Sequence, residues 1–88
     1  MNMLPKEKNQ EPLISIGDRL REIRERSHIS QEMLAEKFNI SRMTVYRHEH
    51  GASIMDIIDL INYCNFYKVS ADEILFGQEK VLQDDTFH

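Results

Sequence analysis

The chain has 88 residues, 41% apolar and 30% charged, enough for one small domain with a core and too apolar for disorder throughout. One cysteine excludes an internal disulfide and, with no CxxC pair, argues against structural zinc. No apolar run nears the ~18 residues of a membrane span and the first residues carry no signal-peptide core, so a soluble, cytoplasmic protein is expected. The formal charge of −4 argues against indiscriminate nucleic-acid binding, but it is unevenly spread. Residues 16–51 hold seven Lys and Arg against six Asp and Glu, whereas residues 52–88 hold two against seven.

Residues 1–13 are polar, contain Pro5 and Pro12 and show no period; they read as a flexible N-terminal arm. Ser15 is a candidate cap for a first helix, in which Ile16, Leu20 and Ile23 fall at i, i+4 and i+7 on one face, with Ser27-His28 closing it. Ser30 is a good N-cap for a second helix, whose buried face is Leu34, Ala35 and Phe38. Asn39 stands where the chain must reverse, and asparagine is the non-glycine residue most tolerant of positive φ. Ser41 caps a third helix running to about His48, with Val45 inward and Gly51 as the stop. A fourth helix is expected from about Met55 to Asn65. Ile54, Ile57, Ile58, Leu60 and Ile61 are too many for one narrow stripe, so this helix is expected to lie centrally in the core. Ser70 caps a short fifth helix carrying Ile74, Leu75 and Phe76, stopped at Gly77; residues 78–88 have weak patterning and read as a tail.

Two short helices joined by a tight turn, the second with Arg42, Met43, Thr44, Tyr46 and Arg47 on its polar side, have the layout of a helix-turn-helix, whose second helix enters the DNA major groove. In their order, the residues resemble the lambda-repressor/Cro-type helix-turn-helix family, also called the Xre family. The resemblance runs from residue 14 to 77. Its landmarks begin with Ile16, Leu20 and Ile23-Arg24, followed by Ser30-Gln31 and Leu34-Ala35. They continue through Ile40-Ser41, Thr44-Val45 and Glu49-His50-Gly51 to Ile57, Leu60-Ile61 and the run Val69 to Gly77. Each landmark is weak alone; the ordered set is strong. It implies an all-α, five-helix lambda-repressor-like DNA-binding domain over 14–77, between an arm (1–13) and a tail (78–88). The chain departs from the family pattern at His28, Asn39 and Lys68, where glycine is usual, so each is expected in the left-handed region at roughly 1 kcal/mol. It also departs at His48, usually aliphatic, and at His50, usually the asparagine of Glu-Asn-Gly.

The resemblance gives Gln31 the role of a phosphate clamp, and its amide at a helix start suits that chemistry. Arg42 and Arg47 can pair with guanine O6 and N7, Met43 with a thymine methyl, and Tyr46 with a base edge or phosphate, while Thr44 suits a backbone contact. Arg24 and Glu49 match a largely buried ion pair that joins helix 1 to the end of helix 3, so they are expected in the scaffold. His50 is a candidate phosphate contact that gains charge on protonation. His48 and His50, two apart, do not share a helix face, and no metal site is expected. Cys64 is expected to be a buried structural thiol.

No nucleophile–base pair or Gly-rich phosphate loop is recognisable, and the three glycines read as helix-end residues; no enzyme and no cofactor are expected. By resemblance, the expected function is sequence-specific binding of a double-stranded DNA operator by a transcriptional regulator, most simply a repressor. A homodimer would set two recognition helices in successive major grooves ~34 Å apart. Its contacts are expected from helices 4 and 5, through Tyr63, Phe66, Tyr67, Ile74 and Phe76, with no membrane and no small-molecule effector. The competing readings are an antitoxin that also binds its own operator, and a protein-interaction module that kept the fold and lost DNA.

Overall fold

Five helices follow one another in the computed structural model, which describes residues 6–77, with side chains from residue 12: α1 (Lys6–Arg26), α2 (Gln31–Phe38), α3 (Arg42–Glu49), α4 (Ile57–Tyr67) and α5 (Ala71–Phe76). There is no strand among the described residues, and none of their helices is long and apolar enough to cross a membrane. The architecture is the expected all-α one.

Capping residues decide where each of the last four helices begins. The Ser30 hydroxyl accepts the Met33 N–H (3.0 Å), Ser41 that of Thr44 (3.1 Å) and Ser70 that of Glu73 (3.1 Å), each capping bond worth about 1 kcal/mol. Asp56 and Asp59 cap α4 reciprocally, backbone to side chain, at 2.9 and 3.3 Å. That box moves α4 two residues downstream of the expected Met55–Asn65. His28, Asn39 and Lys68 take φ of 58°, 57° and 59°, the left-handed conformation expected of them.

The start of α1 differs from expectation. Residues 6–13 are helical, through Pro12, and Ser15 lies inside the helix rather than capping it; residues 1–5 of the expected arm, and the tail 78–88, lie outside the described residues. Gly51 (φ 66°) packs so closely on α1 that a Cβ there would come within 2.8–2.9 Å of the Leu13 and Ile14 backbone. The contact falls almost a turn upstream of Ile16, where α1 is already helical. Gly17, expected at a helix end, is instead interior to α1 and lies against the end of α3, where a Cβ would meet the His48 and Glu49 carbonyl oxygens at 2.5–2.7 Å.

Leu20 and Ile23 of α1, Leu34 and Ala35 of α2, Val45 of α3, Tyr63 of α4 and Ile74 of α5 form the buried core. Phe38 stands edge-on to both Tyr63 (5.3 Å) and Phe66 (5.6 Å), pairs worth about 0.5–1.5 kcal/mol each beyond their burial. Arg19 of α1 donates from Nε to the Ile74 carbonyl (2.7 Å) and from Nη2 to that of Leu75 (2.6 Å), satisfying the end of α5.

Helix α4 is not the central helix its composition suggests. Only Tyr63 is fully buried, while Ile54 just before the helix is 78% exposed and Ile57, Ile58 and Ile61 are 68%, 63% and 47% exposed. Alignment on Tyr63, Leu60 and Tyr67, which pack inward, turns the isoleucines out. The expected dimer residues divide accordingly. Tyr63 and Ile74 are core, Phe66 and Tyr67 pack against it, and Phe76 alone of the five is exposed.

Candidate nucleic-acid interface

The turn between α2 and α3 is built from Asn39 (φ 57°, ψ 46°), with the Ile40 N–H returning to the Ala35 carbonyl at 3.0 Å. Ser41 then starts α3, which has two distinct sides. Val45, His48 and Glu49 are buried, whereas Arg42, Met43, Tyr46 and Arg47, at i, i+1, i+4 and i+5, are all exposed on the other side. The structure thus brings four of the five expected reading residues onto one surface that holds two arginines and no acid of α3's own. Thr44 is half-buried, its N–H and hydroxyl both engaged with Ser41 (the hydroxyls 2.9 Å apart), which suits the backbone role rather than base reading.

Tyr46 and His50 stack with ring centroids 3.9 Å apart and planes at 19°. His50 Nδ1 lies 2.9 Å from the Tyr46 carbonyl oxygen, a contact that requires a proton on Nδ1 and leaves Nε2 as the ring's second polar atom. The pair forms a flat aromatic step at the C-terminal end of the exposed side.

Behind this surface lies a buried ion pair. Arg24 donates from Nε to Glu49 Oε2 (2.7 Å), from Nη2 to Oε1 (3.0 Å) and from Nη1 to the Ile29 carbonyl (2.9 Å). The Glu49 side chain is fully buried, and its carboxylate keeps the Arg24 guanidinium more firmly protonated than usual. Arg24 and Glu49 therefore tie α1 to the end of α3, as the resemblance implies. Gln31 differs from the isolated clamp it suggests: Nε2 donates to Glu49 Oε1 (3.0 Å), and Oε1 accepts from Arg42 Nη1 (3.0 Å). One amide N–H is left for a phosphate. Glu32 comes within 3.8 Å of Arg42 Nε in an exposed pair. The Gln31 links have no signature in one sequence, because they join residues 18 and 11 positions apart, from the start of α2 to the two ends of α3.

His48 sits in the core rather than at the docking edge. Nδ1 and the Tyr63 hydroxyl share a 2.9 Å hydrogen bond, and Nε2 lies 3.7 Å from Asp59. Burial lowers its pKa below the ordinary 6.5, partly offset by Asp59, Asp56 and Glu49. Burial likewise raises the Cys64 thiol, half-buried against the core, and the Tyr63 phenol. The Tyr67 hydroxyl is buried without a hydrogen-bond partner among the described residues. Among the described residues there is no group of three or more His, Cys, Asp or Glu able to hold a metal ion.

A family model described as helix-turn-helix matches residues 20–74, the span that contains the ion pair, the turn and α3. The chain belongs to the helix-turn-helix family. Its fold is the lambda-repressor-like one, and the work of the family is DNA-binding transcription regulation, not catalysis. This helix-turn-helix chain is 34% identical over 71 residues to the HTH-type transcriptional regulator YqaE of Bacillus subtilis, covering 78% of this chain and 61% of that one. It is 32% identical over 73 residues to the HTH-type transcriptional regulator ImmR of Bacillus subtilis, covering 83% and 58%. A third relative, the HTH-type transcriptional activator BcrR of Enterococcus faecalis, is 27% identical over 73 residues, covering 83% and 36%. The helix-turn-helix chain thus spans between about a third and three-fifths of the length of these relatives.

Proposed function

We propose that this domain recognises a specific double-stranded DNA site with the exposed side of α3 and acts there as a transcriptional repressor. The observation that carries the reading is the sorting of α3, with Arg42, Met43, Tyr46 and Arg47 out and Val45, His48 and Glu49 in. Arginine offers a planar fork that matches guanine O6 and N7, Met43 an apolar contact for a thymine methyl, and Gln31 its remaining N–H for a phosphate. The acidic half of the chain leaves little electrostatic grip of the unspecific kind, so affinity rests on these few side chains.

Homodimerisation belongs to the same proposal, with the isoleucines of α4 as the surface that a second copy covers. That surface is an exposed apolar one, and isologous contact through it would double the recognition helices on a two-fold symmetric site. Selection of bound fragments from random duplex DNA tests the reading. A recurring two-fold motif with an affinity that falls steeply with salt is expected, and no duplex binding even at low salt would overturn it. Because one relative is named an activator, a promoter reporter carrying the selected site is the measurement that separates repression from activation.

A further inference from the structure

Gln31 bridges two groups of opposite charge. Its carboxamide faces the Glu49 carboxylate with the NH2 and the Arg42 guanidinium with the oxygen, both at 3.0 Å. Only one orientation of the amide works, because the flipped one would set oxygen against carboxylate and N–H against guanidinium. Glu49 is fully buried and fixed by two hydrogen bonds from Arg24, so the amide has a rigid anchor. A continuous polar chain therefore runs from α1 through the end of α3 and the start of α2 to the first residue of α3. Arg42 spends one Nη1 hydrogen on Gln31 and keeps the others on Nη1 and Nη2, the end-on fork a guanine edge accepts.

We infer that Glu49, a buried scaffold residue away from the exposed side of α3, is a positioning residue for sequence readout: through Gln31 it sets Arg42 in place before DNA arrives. Holding the long arginine side chain in one geometry removes ordering cost from the bound state and restricts which base its fork meets. Glu32, at 3.8 Å from Arg42 Nε, is an exposed rival for the same side chain, and the Gln31 bond keeps Arg42 from relaxing wholly onto it. Gln31 is then more than a phosphate clamp, since its two ends couple core to reader.

The inference rests on α3 contacting bases, and the experiment separates failure of the two. Sites selected by the unaltered chain give a preference at each position, and Arg42→Ala identifies the position that Arg42 reads. Gln31→Met keeps length and loses both hydrogen bonds; Gln31→Glu keeps an acceptor for Arg42 and loses the donor to Glu49. Neither alters Arg24 or Glu49 themselves, and because Gln31→Glu sets a second carboxylate beside that of Glu49, thermal melts test the fold of each. The expected result is that each Gln31 variant weakens the preference at the Arg42 position about fivefold, leaves other positions unchanged, and loses nothing further there when combined with Arg42→Ala. A uniform drop across all sequences, with the salt slope reduced by about 1 and the Arg42 preference intact, would make Gln31 a phosphate contact only and overturn the inference. Preference kept in Gln31→Glu but lost in Gln31→Met would remove Glu49 from the mechanism. An Arg42→Ala variant that changes no position also overturns it, and a parent chain that selects no sequence overturns the functional proposal as well.

Discussion

Helices α3 and α4 invert what their compositions suggest. Helix α3 is rich in polar residues, yet it turns a histidine and a glutamate into the core; α4 is the most apolar stretch, yet it shows isoleucines to solvent on its outer side. The difference lies in partners. Glu49 is buried because Arg24 and Gln31 satisfy its carboxylate, and His48 because Tyr63 offers a hydroxyl, so neither is left uncompensated. The α4 isoleucines are exposed because Tyr63 and Leu60, on the opposite side, already face the core.

Of the two helices, α3 is the more sensitive, and most of all through its partner Arg24. Arg24→Ala strands a buried carboxylate and is expected to cost about 3–5 kcal/mol, read as a lowered urea midpoint before any change of sequence preference. Acid sharpens the same side. The unfolded chain protonates His48 near pH 6.5 while the folded one resists, so stability is complete above about 6.5 and falls as pH drops below it, levelling once the folded side chain is protonated too. Thermal midpoints between pH 7.5 and 5.5 should therefore decline more in the parent than in His48→Leu, which removes this titration. The α4 side should respond less and in the opposite sense. Tyr67→Phe deletes an unpartnered buried hydroxyl and Lys68→Gly relieves a left-handed Cβ, each expected to raise stability by about 1 kcal/mol in denaturant titrations. Ile58→Lys should leave monomer stability within about 0.5 kcal/mol, and sedimentation reads whether it shifts assembly.

Local signals carried far in the sequence. The serine caps at Ser30, Ser41 and Ser70, the left-handed turns at His28, Asn39 and Lys68, and the core positions Leu20, Leu34 and Val45 each depend on a few neighbouring residues, and the expected and observed placements agree. What escaped depends on distant contacts. Gly51 packs against the backbone of Leu13 and Ile14, the end of α5 is closed by Arg19, and the inward turn of His48 follows from Tyr63 fifteen residues on. The candidate interface was legible as a set of residues on one helix side, whereas the double engagement of Gln31 required the start of α2 to meet both ends of α3.

Gly17 gives this last point a mechanical form. With its missing Cβ only 2.5–2.7 Å from the carbonyl oxygens of His48 and Glu49, it acts as a zero-thickness shim between α1 and the far end of the reading helix. A methyl group added there would push α3 from behind while leaving every exposed side chain chemically unaltered. Under the proposed readout, the seating of α3 against a duplex is thus gauged by a hydrogen atom on the opposite side of the helix.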